Sequence, residues 1–263
     1  MKYINLKGIK ISRFILGGNP FSGFSHQSKE MDIKMKKYFT TERIKSTLKN
    51  AEKNGINTFI GRADHFILRV LFEYKEGGGK IQWIAQTCPE IRTQELSIDM
   101  AVAGNPVGYY IHGGYTDYLF LNNKISSIIP LVEKIKSYGI LSGIAGHIPE
   151  VFLWAEENID VDFYMCSYYN PISRKEKPEK DSLQEEKFSD KDRDKMIEVI
   201  RKIKKPVIHY KIFAAGRKDP EESINFLSKN AKENDMVCIG IYDEEKRDMI
   251  EENIKLMKKF NFL

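Results

Sequence analysis

Four of the five histidines stand at or just beyond apolar, strand-like runs. His65 follows Asn57-Thr58-Phe59-Ile60, His112 ends the run from Val107 to Ile111, His147 follows Ile140 to Ala145, and His209 lies within Val207 to Lys211. Chains that alternate strands with helices bind their ligands at the C-terminal ends of the strands. The imidazoles are therefore expected to meet at one site, which points to an enzyme. Imidazole titrates near pH 6.5 (about), so His65 and His112 are candidate proton donors to a carbonyl oxygen. Arg62 and Lys211 are candidates to stabilise negative charge developing on that oxygen. Tyr210 offers either a ring face for stacking or a phenol donor. His209 sits two residues before its strand ends and reads as a buried structural histidine.

The same residues admit other chemistries. His65, His112 and His147, with Asp64 or Cys166 nearby, have the donor types of a Zn²⁺ or Mn²⁺ site, although no local His-Glu-x-x-His spacing is present. Lys211 inside a barrel strand could form a Schiff base in a lyase or isomerase, its structural alternative being a buried ion pair, for instance with Asp162. Gly216-Arg217-Lys218, just before the helix start at Asp219, could bind a phosphate. A barrel that binds a metabolite without catalysis is the remaining option.

The elements that must position these groups follow from periodicity. Residues 3 to 11 suggest a small hairpin turning at Lys7-Gly8. Phe14 to Gly18 is a first strand, and strands follow at 57–60, 81–87, 107–112, 140–145, 161–166, 206–212 and 236–241. Between them Ile44, Leu48 and Ala51 mark one helix, and Ile125, Ile128, Val132 and Ile135 another, which Pro130 either kinks or restarts. Asp219-Pro220-Glu221-Glu222 is a helix start with an N-cap, a first-turn proline and acids favoured by the dipole. A charged stretch at about 171–188 interrupts the rhythm and reads as a solvated excursion, long enough for a lid. Eight strands with intervening helices predict a single (β/α)₈ barrel over residues 1–263, entered through a short N-terminal β-hairpin. No strand runs into a Gly-x-Gly-x-x-Gly turn, which argues against an open doubly wound sheet.

Composition narrows the setting. With 41% hydrophobic residues in 263, the chain can bury a full core. A net charge of +5 is modest and its basic clusters fall on polar helix faces, which speaks against nucleic-acid binding. No apolar run approaches the roughly 20 residues of a membrane span. Cys88, Cys166 and Cys238 are odd in number and lack paired spacing. The expected protein is cytoplasmic and acts on a small molecule.

Several segments together resemble the aldo-keto reductases. The entry Ile11-Ser12-Arg13-Phe14-Ile15-Leu16-Gly17-Gly18, the run Gly55-Ile56-Asn57-Thr58-Phe59, the pair Ile111-His112, the segment from His209 to Gly216, and Ile239-Gly240 followed by Glu252-Asn253 are similar to that family's motifs in chain order. The resemblance implies a (β/α)₈ barrel that binds NADP or NAD, with Tyr210 stacking on the nicotinamide and His112 as the strand-four histidine. His147 and Arg217 would be further cofactor-binding residues. The catalytic tetrad departs from the family: Ile60 stands at the aspartate position, His65 near the tyrosine, and Thr87 at the lysine. Gly146-His147 replaces the pair that holds the carboxamide, and Asp243-Glu244-Glu245 lies where a 2′-phosphate would. The resemblance thus implies a divergent oxidoreductase for a small carbonyl or sugar-like metabolite, with His65 and His112 in place of the usual acid. A divalent metal or Lys211-dependent lyase, isomerase or hydrolase on the same barrel is the alternative.

Overall fold

The computed structural model describes residues 1–179, 186–244 and 246–263. Strands β1 (Tyr3–Leu6) and β2 (Ile9–Ser12) pair antiparallel and turn at Lys7 and Gly8, both with positive φ. Eight parallel strands then close into a barrel: β3 (Phe14–Gly17), β4 (Thr58–Arg62), β5 (Gln82–Gln86), β6 (Gly108–Ile111), β7 (Leu141–Gly146), β8 (Phe163–Ser167), β9 (Val207–Tyr210) and β10 (Met236–Gly240), with β10 paired to β3. This is the (β/α)₈ barrel with an N-terminal hairpin that the apolar runs predict.

Side chains alternate across each strand, so the barrel carries two apolar layers. Ile15, Ile60, Ile84, Tyr110, Met165 and Ile208 fill the lumen, and Ile4, Leu6 and Ile11 of the hairpin join them as a plug. Phe14, Phe59, Trp83, Tyr109, Ile111, Tyr164 and Cys166 face outward against the helices. Asp162, at the entry to β8, accepts an ion pair at 2.6 Å from Lys7 of the hairpin turn. It is therefore at the opposite end from Lys211, and the ion pair imagined between them does not form.

The outer layer comprises α1 (Lys29–Tyr38), α2 (Thr41–Lys53), α3 (His65–Glu76), α4 (Gln94–Val102), α5 (Gly113–Leu121), α6 (Ile129–Ser137), α7 (Pro149–Asn158), α8 (Asp190–Ile200), α9 (Pro220–Asn230) and α10 (Met249–Lys259). Pro130 starts a second segment: a 3₁₀ turn over Ile125–Ile128 precedes α6, and the proline occupies its first turn, where a missing N–H costs nothing. Asp219 caps α9 by accepting the Glu222 N–H at 2.9 Å. Helices α1, α3, α4 and α5 are not among those that apolar spacing marks, and α5 opens on two glycines. No helix among the described residues is long and apolar enough to cross a membrane.

Candidate active site

The centre of the barrel mouth is a buried hydrogen-bonded line. Strand β7 ends at Gly146, which delivers His147 to the rim, while α5 follows β6 directly and carries Asp117 alongside. Asp117 Oδ2 lies 2.6 Å from His147 Nδ1, and Oδ1 accepts the His147 and Ile148 backbone N–H groups at 3.0 and 3.3 Å. Burial pushes the Asp117 carboxyl up to about 7, even though those N–H groups and the charges of Arg174 and Lys211 pull it down. Burial likewise drives His147 well below the usual imidazole range, with Lys211 and Arg174 adding to the effect. Both shifts favour an uncharged pair, a carboxylic acid beside a neutral imidazole, until Asp117 ionises near neutrality.

Tyr210 ends β9 with its ring turned into the lumen, by the same alternation that sends His209 outward. Its Oη is 3.3 Å from His147 Nε2 and 3.4 Å from the Gly146 carbonyl, and the two rings meet edge-on at 5.8 Å. Burial holds the phenol far above its ordinary range. Gly113 makes room for this approach: a Cβ there would stand 3.1 Å from Tyr210 Oη and 3.2 Å from His147 Cε1.

His112 is the N-cap of α5. Its Nδ1 accepts the Gly114 N–H at 3.1 Å, and its own backbone N–H is held by Thr87 Oγ1 at 2.8 Å. The neutral ring therefore carries its proton on Nε2, which makes no hydrogen bond with any described residue. Burial, followed by the charges of Arg174, His147, Arg62 and Lys211, pushes His112 well below the normal imidazole range, so it is a neutral donor.

Three cations set the potential here. Lys211 adopts a left-handed conformation, φ 59°, directly after β9, and its charge acts on His112, His147 and Asp117. Arg174, only 5% exposed, packs its Nη1 against Gly114 and donates it to Pro178 O at 2.8 Å, while its buried Nε is without a hydrogen-bond partner among the described residues. Arg62 at the end of β4 holds Asp64 at 2.9 Å and also pairs with Glu90. His26 overhangs the site, bound through Nδ1 to Glu186 at 2.8 Å, and its charge is felt at His147.

The remaining candidates go elsewhere. His65 is the exposed first residue of α3 and takes no part in the hydrogen-bonded cluster. Asp64 caps that helix through the Ile67 N–H at 2.9 Å, and Cys166 faces the outer layer. The alternative metal site of His65, His112 and His147 with Asp64 or Cys166 is not brought together: no group of three or more His, Cys, Asp or Glu suited to an ion occurs among the described residues. Lys218 pairs with Asp190 at 2.7 Å, and Arg217 donates to the His26 and Ala214 carbonyls while lying over Phe188, so the basic turn is already engaged. His209 is a core histidine, 3.2 Å from the equally buried Asp235. Asp117, Arg174 and His26 were not anticipated. Arg174, which is buried, and Glu186, whose side chain is covered, also correct the view of 171–188 as wholly solvated; residues 180–185 of that stretch, and Glu245, lie outside the described residues.

The flank assigned to a nicotinamide nucleotide is crowded. Gln27 donates to Ala215 O at 2.8 Å and Arg217 to His26 O at 3.0 Å, tying the loop before α1 to the loop after β9. Tyr242 packs edge-on against Tyr38, which donates to Asp243 at 3.2 Å, and Glu244 pairs with Lys34. These contacts close the loops together over β9 and β10, beside the edge-on contact of Tyr210 with His147.

The barrel itself recurs widely among solved structures. An aldo-keto reductase from Bacillus halodurans in its holo form aligns with 98% of this chain and 91% of its own, with a TM-score of 0.65 at 10% identity. A truncated 3-deoxy-D-arabino-heptulosonate 7-phosphate synthase from Thermotoga maritima aligns over 99% and 92%, TM-score 0.58, at 15% identity. A putative 2,5-diketo-D-gluconic acid reductase B aligns over 100% and 91%, TM-score 0.57, at 11%. No family model and no curated protein matches the sequence. The likeness establishes a fold shared by reductases and a synthase. It leaves the reaction to the residues at the mouth.

Proposed function

We propose that the protein is an acid–base enzyme that activates the carbonyl group of a small anionic metabolite. The observation that carries this reading is the Asp117–His147–Tyr210 line, which shares the mouth with the open Nε2–H of His112. A carbonyl oxygen bound there accepts hydrogen bonds from Tyr210 Oη and His112 Nε2, two neutral donors in a site with little water. When a carbon beside the carbonyl gives up a proton to a solvent base and its C–H electron pair moves toward the carbonyl, the oxygen takes the Tyr210 proton. His147 passes its Nε2 proton to the phenol oxygen, and Asp117 returns one to Nδ1. The net result is a proton moved from Asp117 to the substrate, with tyrosine and histidine neutral again. Lys211 and Arg174 favour an anionic substrate and stabilise the Asp117 carboxylate left behind.

Deuterium wash-in tests this reading. Proton donation to the carbonyl of pyruvate acidifies its methyl hydrogens, so ¹H NMR in D₂O should show catalysed exchange that falls at least tenfold (~1.4 kcal/mol of barrier) in Tyr210→Phe and His147→Gln. Exchange no faster than in buffer, together with no pyruvate binding by calorimetry, would sink it.

The likeness to a holo aldo-keto reductase favours a second reading, a nicotinamide-dependent oxidoreductase with the same proton donors. It requires the loop at Ser25–Gln27 to leave residues 214–217. Micromolar NADPH or NADH binding, followed by loss of affinity in Tyr210→Ala, would support it, and no binding to either nucleotide would end it.

A further inference from the structure

Beside the mouth, between the loops that precede α1 and α2 and the loop from β4 to α3, lies a cleft of about 570 Å³. That is the size of a small-molecule site. Phe21, Phe24, Phe39 and Phe66 line it, with Lys36 and the Arg62–Asp64 ion pair as its charged groups. Phe24 and Phe66 are 40% and 41% exposed, and the Arg62 guanidinium lies over the Phe24 ring at 5.1 Å. Exposed phenylalanines on the loop before α1 and in the first turn of α3, at the catalytic end of a barrel, are apolar surface that a ligand can cover. Arg62 connects this surface to the mouth, because it ends the barrel strand β4 and lines the cleft.

We infer that the substrate of the mouth carries an aromatic ring, seated in this cleft between Phe24 and Phe66, so that the enzyme acts on an aromatic 2-oxo acid or a close relative. The inference rests on the carbonyl-activating reading of the mouth. Phe24 and Phe66 present exposed phenyl rings to a flat ring, above a floor formed by the buried Phe21 and Phe39, a geometry that branched aliphatic groups do not exploit. Lys36 supplies a cation for an anionic substituent, while Arg62, paired with Asp64 and Glu90, holds the Phe24 ring from behind. The reacting carboxylate and carbonyl then lie toward Arg174, Lys211 and His112.

Calorimetric titration with phenylpyruvate, pyruvate and 4-methyl-2-oxopentanoate, on the full chain, tests the inference. Burying a phenyl ring should make phenylpyruvate bind at least tenfold (roughly) more tightly than pyruvate, and also more tightly than the aliphatic acid. The ratio to pyruvate should collapse toward one in Phe24→Ala and Phe66→Ala, which fold because both side chains are already substantially exposed. Pyruvate binding with no phenyl advantage, an equal advantage for the aliphatic acid, or an advantage that survives both substitutions overturns the aromatic cleft alone. Binding of none of the three overturns the mouth reading and this inference together.

Discussion

Asp117 and His147 share a 2.6 Å hydrogen bond with both side chains withdrawn from water, and Asp117 sits at about 7 rather than in the carboxylate range. A carboxylic acid buried behind an imidazole can reload a proton donor at neutral pH. The donating activity should therefore fall as pH rises through about 7, with the apparent value belonging to the pair. In Asp117→Asn that limb should vanish from the pH–rate profile; a profile unchanged by the substitution would remove Asp117 from the relay.

The same group makes a stability prediction of definite sign. Its folded value of about 7 lies above the unfolded value near 3.9 (about), so between them the native state binds more protons. Asp117 thus stabilises the fold at low pH, and the benefit is lost as pH rises from about 4 to about 7. His112 and His147, lowered by burial, act oppositely and cost stability as pH falls below about 6.5. Urea unfolding of wild type and Asp117→Asn across this range isolates the first effect. The stability advantage of wild type over the variant should shrink with rising pH and then level off.

Gly113 separates geometry from chemistry. A methyl group there meets Tyr210 Oη at 3.1 Å and His147 Cε1 at 3.2 Å, so these neighbours must give by a few tenths of an ångström. Gly113→Ala should keep every titrating group in the chain yet shift the Tyr210–His147 contact by a few tenths of an ångström and lower kcat by roughly tenfold, since such sites tolerate little misplacement. Native-like thermal unfolding with normal kcat would show that the Tyr210 contact is not needed.

Much of this was legible in the sequence because barrel strands announce themselves. Apolar runs such as Ile140 to Ala145 located the strands, and the residues just past them placed His112, His147, Tyr210 and Lys211 at one mouth. His65 also follows such a run, but two residues beyond β4 the chain has already turned into α3, and the imidazole points to water. Asp117 was invisible because α5 opens on Gly113-Gly114 and is apolar nearly all round, so no helical stripe flagged its one carboxylate. Arg174 was hidden by its neighbours: Lys175, Glu176 and Lys177 made a buried arginine look like part of a solvated loop.

His65→Ala follows directly from that contrast. If the strand-end pattern alone determined function, its loss should be severe. The exposed position on α3 predicts kcat within about twofold of wild type and stability within about 0.5 kcal/mol. A large kinetic loss would show that α3 moves His65 toward the mouth during turnover.

Lys211 should show function set against stability. Its left-handed φ of 59°, followed by Ala214 at 48° and Ala215 at 56°, is a conformation that glycine adopts at little cost. Lys211→Gly should therefore fold at least as well as wild type by thermal denaturation while losing affinity for an anionic substrate. A clear drop in melting temperature would mean that the lysine is kept for the fold.

Arg174 completes the argument about charge. Its buried guanidinium holds its Nε without a hydrogen-bond partner among the described residues, a costly arrangement for a residue that served packing alone. In Arg174→Met the apolar volume is largely kept and the cation is lost. Stability should be unchanged or higher, and KM for an anionic substrate should rise about tenfold or more. The pH midpoint assigned to Asp117 should rise as well, because Arg174 is among the charges that hold it down. A stable variant with unaltered KM and midpoint would place the substrate's anion elsewhere in the mouth, leaving Lys211 to carry it alone.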